Sequence, residues 1–318
     1  MDTNLGQKLP IDAVILWVNG NDKKHQDKIL KFVKDKNLVK TKAFRTRYDQ
    51  VNEIKYTIDS LLKFAPFIRK IHLITDNQIP DFFTEKINKN SYDKVFIVDH
   101  KKVFDGYQKY LPTFNCRSIE TCIYRIPNLS EHFIYLNDDF FLINHTKAED
   151  FFRNGLPVLR GKWLKFDRDI IYKKIVKQRT GHKFAQQKAA SIVGFKKYYN
   201  FKHTPHPLRK STFEAFFNDN RDVFINNIKH KFRSIDQFTP QGLANHIEIK
   251  NNSCVLEKDL KLIYFRSYKK PLFWYNLNLK FKTNKKLFLG LQSLDKCPSN
   301  KLKFLLNWLS KRLKSDRN

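Results

Sequence analysis

The pattern of apolar and polar positions predicts alternating strands and helices through the first half of the chain. IDAVILWVNGND (11–22) opens as an apolar, β-rich run and stops at Asn19-Gly20, a turn dipeptide, which predicts a strand. From Val51 the apolar residues Ile54, Ile58, Leu61 and Leu62 mark one face of an amphipathic helix, which Ala65-Pro66 ends. RKIHLITD (69–76) and KVFIVDH (94–100) predict two more strands. IETCIYRI (119–126) predicts a helix stopped by Pro127, and HFIYLNDD (132–139) a fourth strand. This alternation implies the α/β class, with a Rossmann-like, mostly parallel, doubly wound sheet.

Beyond about residue 150 the pattern turns helical and irregular. DIIYKKIVKQ (169–178) and FAQQKAASIVGFKKYY (184–199) are helix candidates, whereas HTPHPLRKS (203–211), with two closely spaced prolines, is not. A helix resumes after Ser211, a good N-cap, and KHKFRSIDQF (229–238) reads as a basic link. NKLKFLLNWLSKRLKS places Leu302, Leu305, Leu306, Leu309 and Leu313 on one helical face, with Lys and Arg around it. That stripe suits a peripheral helix on anionic lipid and equally a helix docked on the core. The expected division is therefore a nucleotide-binding α/β core (1–150), a helical insertion completing the site (151–290) and a basic amphipathic helix (291–318).

Composition changes this picture in one respect. With 318 residues, 41% of them hydrophobic, and 29 Phe and 13 Tyr, the chain is equipped for a substantial core. The 61 basic against 31 acidic residues leave a net charge of +30, which calls for an anionic partner: nucleic acid, phosphorylated substrate or anionic lipid. Lysines are scattered throughout and no zinc-finger, RNP or helix-turn-helix signature appears, which counts against nucleic acid. Cys116, Cys122, Cys254 and Cys297 stand at no metal-binding spacing, so free thiols in a reducing compartment are expected. The first residues carry no apolar signal region, and no apolar run reaches the ~18 residues of a membrane span. A cytoplasmic protein, soluble or peripheral at the inner membrane face, is the expectation.

Candidate chemistry gathers at the strand ends, where open α/β sheets bind ligands. Asn19/Asp22, Asp76/Asn77, Asp99/His100 and Asn137-Asp138-Asp139 follow the four predicted strands. Singly, such residues also suit turns and helix caps. The doublet Asp138-Asp139 is different: apolar residues flank it on both sides, and two carboxylates there repel unless a cation joins them.

Several blocks, in this order, resemble the Stealth family of sugar-phosphate transferases. IDAVILWVNGND matches its Ile-Asp-x-Val-x-x-Trp-Val-(Asp/Asn)-Gly pattern. RYDQVNEIKYTIDSLLKFAPFIRKIHLITDNQIP (47–80) and LPTFNCRSIETCIYRIPNLSEHFIYLNDDFF (111–141) resemble its second region, the latter most specifically. HTPHPLRKS with HKFRSIDQF resembles its third, and LFLGLQSLDKCP (287–298) weakly its fourth. Gln50-Val51 stand where the family commonly has Asp-Asn, and Tyr124 where it often has His.

The resemblance implies a GT-A-like fold and transfer of a hexose-1-phosphate, such as N-acetylhexosamine-1-phosphate, from a UDP-sugar to a sugar hydroxyl. UMP leaves and a phosphodiester forms, in capsule or cell-surface polysaccharide synthesis. Asp138 and Asp139 are then expected to hold Mg²⁺ (or Mn²⁺) or to include the base. His203 is expected as a base and Arg233 and Arg47 as phosphate ligands. Trp17, Asn19, Gly20 and Asp22 are expected near uridine and ribose, and Asn115 and Glu120 near the sugar. Arg117 and Arg125 suit structural roles as well, and His206 and Lys210 share the His203 loop. A conventional metal-dependent glycosyltransferase releasing UDP is the first alternative, and a basic nucleic-acid-binding protein the second.

Overall fold

The computed structural model describes residues 9–46, 48–84, 91–170 and 181–314. Four parallel strands, β1 (Ile11–Leu16), β2 (Ile68–Thr75), β3 (Val95–Asp99) and β4 (His132–Asn137), lie in the order β3-β2-β1-β4. This is the order of a Rossmann half-sheet, with its switch point between β1 and β4. In register, Leu16 lies beside Asn137. The strand His206–Arg209 adds antiparallel to β4, so the second half of the chain completes the main sheet.

β1 is apolar and buried on both faces, as a central parallel strand requires. Its one exception is Asp12, which is fully buried and receives Arg69 Nε at 2.9 Å, Arg69 Nη2 at 2.7 Å and Ser130 N at 2.9 Å, with His72 Nε2 at 3.2 Å. The helix Glu53–Phe64 buries Ile54, Ile58, Leu61 and Phe64 against the sheet. Its N-terminus therefore sits at the carboxyl end of β1, where the connection starts. Thr57 Oγ1 donates to Asp138 O at 2.5 Å and ties the helix to the end of β4.

After Asp138-Asp139 the chain leaves the main sheet. β5 (Phe140–Leu142) pairs antiparallel with the strand Phe288–Leu291, which is parallel to Leu262–Phe265. Gly290 permits this approach, since a Cβ there would lie 2.7 Å from Tyr264 and 2.9 Å from Phe140. The weakly matching segment 287–298 thus packs directly beneath the carboxylate doublet.

The second half differs from expectation in several places. Residues 184–199 divide into the helix His182–Ile192 and the strand Lys197–Asn200, with Gly194 in the left-handed region at φ +95° making the break. Ser211 lies inside the helix Lys210–Asp219 rather than capping it, and binds Glu131 instead. Most of the candidate helix 169–178 lies outside the described residues. The helix Ser299–Lys314 docks on the core: Leu305 and Leu309 are buried, and Leu302, Leu306, Phe304 and Trp308 pack around them. Arg312 Nε donates to Ile143 O at 2.8 Å and pins its end. Its leucine face is consumed by the protein and is not free for lipid, which corrects the peripheral-helix reading of this segment. No described helix is long and apolar enough to cross a membrane.

Candidate active site

A cavity of about 530 Å³ opens outside the carboxyl ends of β1 and β4, at the switch point. Of the sequence-predicted residues, Asp138, Asp139, His203, Arg233, Trp17, Asn115 and Glu120 line it, although they are drawn from five separate stretches of chain. His206, Asp76, His100 and Arg117 line it too. Arg47 lies outside the described residues.

The acidic wall is formed by Asp138 and Asp139 with Glu53, which sits at the start of its helix and was not singled out by sequence reasoning. Burial raises the Glu53 carboxyl, and the nearby Asp138 raises it further. Burial and Asp139 raise Asp138; burial and Glu53 raise Asp139. Burial is the larger cause of each shift, and the mutual repulsion of three carboxyls in one site adds to it. Asp139 Oδ1 is buried without a hydrogen-bond partner. These groups fit a hard divalent cation in charge and donor type. Among the described residues, no three His, Cys, Asp or Glu side chains form a ready-made metal cage.

The lining is also cationic and imidazole-rich. His203 and His182 lie with ring centroids 4.2 Å apart, and His206 follows on the edge strand opposite Tyr135. Burial lowers His203 to about 4, with Arg266 and Arg233 adding to the effect. Burial likewise lowers His206 to about 3 and His182 well below the usual range. The lowering favours the neutral imidazole in all three, whose free ring nitrogen can accept a ligand's hydrogen bond. Gln186 Nε2 lies 2.8 Å from His182 Nε2, a contact that assigns that nitrogen as acceptor. Arg233 is exposed at the cavity mouth, its Nη2 3.0 Å from Cys116 Sγ.

Asn115 is a positioning residue. It caps the helix Cys116–Cys122, and its Nδ2 reaches Phe232 O at 3.0 Å and Gln237 Oε1 at 2.8 Å, which holds the loop carrying Arg233. Glu120 is buried and accepts from the Tyr135 hydroxyl at 2.8 Å. Arg117 is committed in part to Ser234 O and Gly181 O. Arg125 donates to Val103 O and lies away from the cavity lining, as does Lys210, which pairs with Glu214. Tyr124 stacks on Phe213 in the core, so the departure from His at this position leaves the cavity untouched.

Asn19, Gly20 and Asp22 were expected on the donor, and the structure uses them to hold the turn after β1. Asn19 exchanges hydrogen bonds with the Gln78 amide (2.9 and 3.1 Å), and Asp22 caps the helix Lys23–Phe32 and also accepts from Gln78 at 2.9 Å. Gly20 is required because a Cβ would meet Tyr48 O at 2.3 Å. Trp17 does face the cavity, and its buried Nε1 has no partner. His100, a strand-end candidate from the sequence, lines the cavity, as does His25, which the sequence did not reveal; both ring nitrogens of His25 and Nδ1 of His100 are buried without partners. Asp295, in the weakly matching C-terminal segment, closes the cavity and accepts from Thr46 Oγ1 at 2.6 Å. Glu53 had one sequence signal: in a βαβ unit the first helical turn lies at the strands' carboxyl end, and its residues face the crevice.

Residues 9–36 match Stealth protein conserved region 1, and residues 47–159 match conserved region 2. The capsular polysaccharide phosphotransferase fcs1 of Haemophilus influenzae is 42% identical over 153 residues, covering 46% of this chain and 39% of that protein. Capsular polysaccharide phosphotransferases cps1A of Actinobacillus pleuropneumoniae and LcbA of Aeromonas hydrophila are each 32% identical. They cover 73% and 74% of this chain, which spans 63% and 64% of their lengths. Among solved structures, the galactosyltransferase LgtC with donor and acceptor sugar analogs overlaps 96% of each chain, at 10% identity and TM-score 0.47, a likeness that carries no argument. With both conserved regions in place and the carboxylate doublet at the end of the second region's last long strand, the chain belongs to the Stealth family.

Proposed function

We propose that the protein transfers a hexose-1-phosphate, as the N-acetylhexosamine-1-phosphate, from a UDP-sugar to a hydroxyl of an oligosaccharide or polysaccharide acceptor in capsule synthesis. The observation that carries this reading is the gathering of Glu53, Asp138 and Asp139 with His203 and Arg233 in the lining of one cavity at the switch point. The names of the relatives, all capsular polysaccharide phosphotransferases, favour phosphoryl over glycosyl transfer.

In the proposed step the acceptor oxygen bonds to the β-phosphorus while the bond from that phosphorus to the bridging oxygen breaks. The bridging oxygen keeps the electron pair and leaves with UMP. Such transfers depend on in-line positioning and charge stabilisation more than on covalent help from protein. A Mg²⁺ or Mn²⁺ ion held by Asp138 and Asp139 would neutralise charge on the diphosphate. His203, neutral in the buried site, accepts the hydroxyl proton at a ring nitrogen; the anionic substrate beside it raises its basicity. Arg233 grips a phosphate oxygen at the mouth, and the Asn115-anchored loop fixes its reach. Trp17 offers an apolar face and a free indole N–H to the nucleoside.

Identification of the nucleotide released from UDP-N-acetylglucosamine with Mg²⁺ and an oligosaccharide primer tests the reading. UMP that disappears in Asp139→Ala and His203→Ala supports it; UDP in its place means ordinary glycosyl transfer and overturns it.

A further inference from the structure

Exposed apolar side chains on soluble proteins usually stand singly. Here five of them occupy one helix, Leu272–Lys282. Phe273 is 64% exposed, Phe281 67% and Leu277 43%, with Leu272 and Trp274 exposed beside them. Phe273, Leu277 and Phe281 recur every four residues, which at 3.6 residues per turn aligns them along the outer face. The inner face is anchored: Tyr275 and Leu279 are buried, and the Tyr275 hydroxyl donates to Ser267 O at 2.8 Å. The helix therefore cannot roll its outer face inward without losing its own core contacts.

Charge is equally one-sided. From residue 260 to residue 294 the chain has no Asp or Glu, whereas Lys269, Lys270, Lys280, Lys282 and Lys285 surround the apolar stripe. Lys280 and Lys282 fall on its two flanks, and their long stems can carry the ammonium groups beside it. A second copy of the chain would bring the same cations against these. A soluble polyanion would meet the lysines and leave Phe273 and Phe281 in water. An anionic bilayer satisfies both, with acyl carbon for the aromatic stripe and phosphate for the lysines.

We infer that the helix Leu272–Lys282 seats the protein on the surface of an anionic lipid bilayer, with Phe273, Leu277 and Phe281 at the boundary between headgroups and acyl chains. This surface lies on a different element from the C-terminal leucine stripe, which the core already covers. It also leads to the cavity, because the strand Leu262–Phe265 just before it supplies Tyr264 to the lining.

The test is flotation of the full chain with phosphatidylcholine vesicles, with and without phosphatidylglycerol. Binding is expected only with the anionic lipid, and it weakens as salt rises. The Phe273→Ser/Leu277→Ser/Phe281→Ser variant, whose substitutions lie on the solvent face, should keep the wild-type melting temperature and bind at least about tenfold less. Lys280→Gln/Lys282→Gln should also bind about tenfold less, with a flatter salt dependence. Brominated acyl chains should quench wild-type fluorescence, and Trp274→Phe should remove most of that quenching. Equal binding by the triple variant overturns the inference. So does binding that the lysine substitutions abolish without any acyl-chain quenching, which marks a polyanion surface. A concentration-dependent dimer, formed without vesicles and lost in the triple variant, overturns it in favour of a second copy.

Discussion

The two ends of the central sheet treat buried carboxylates in opposite ways. At the amino end, Asp12 is fully buried and meets Arg69, His72 and the Ser130 amide. Burial alone would raise its carboxyl, but the hydrogen bonds from His72, Arg69 and Ser130 outweigh it and hold the group well below the usual range. At the carboxyl end, Asp138, Asp139 and Glu53 share one half-dry site with no salt-bridge partner among the described residues, and burial and mutual repulsion raise all three. A buried charge that the fold satisfies serves the fold; charges left facing one another await something that is not protein.

The largest expected effect is at the unsatisfied end. Asp138→Asn/Asp139→Asn should lower the rate of nucleotide release by on the order of 10³-fold or more, while its melting temperature holds or rises because repulsion is removed. Mg²⁺ should raise the melting temperature of the wild type and leave that of this variant unchanged, a binding readout separate from activity. A large loss of stability in the variant would break the comparison.

At the satisfied end the order reverses. Asp12→Ala should cost about 3–5 kcal/mol of stability by stranding Arg69 and His72, measured by denaturant titration, with kcat of the folded fraction within about twofold. The sign of the pH effect follows from the depressed carboxyl. The stabilisation is fully present above the unfolded value of about 3.9 and is lost as pH falls below it toward the folded value. Asp12→Asn should lack this acid limb, so the stability gap between it and wild type narrows below roughly pH 4.

His203→Asn sharpens the contrast across the cavity. A loss of about 10²-fold in kcat with a small change in donor KM would mark a proton acceptor; a loss confined to KM would make it a binding group. The smallest effect is expected at the turn after β1. Asp22→Ala should cost about 1 kcal/mol through its lost helix cap and leave donor KM within about twofold, whereas a large rise in KM would return Asp22 to the donor site.

Local pattern was enough for the first half of the molecule. Apolar runs and turn dipeptides located β1, β2, β3 and β4 to within a residue or two, and the Asp138-Asp139 doublet stood out because carboxylates interrupting an apolar run are costly wherever the strand lies. That the sheet is mostly parallel followed from strand and helix alternation; the order of its strands did not. Positions that depend on who approaches from elsewhere were not legible. Gly20 reads as a turn residue until Tyr48 O is seen against it, and Asn19 reads as a ligand until Gln78 takes both its backbone groups. His182, Glu53 and Asp295 join the cavity from sites 242 residues apart along the chain at the extremes, by pairings no local window contains. The two amphipathic helices show the same limit. Ser299–Lys314 and Leu272–Lys282 both carry apolar residues and lysines, and which one is covered by protein was decided only when the strands Leu262–Phe265 and Phe288–Leu291 packed against β5. Periodicity fixes which residues share a face, because helix and strand geometry is local; what that face meets is set by long-range packing, and only the tertiary structure holds that information.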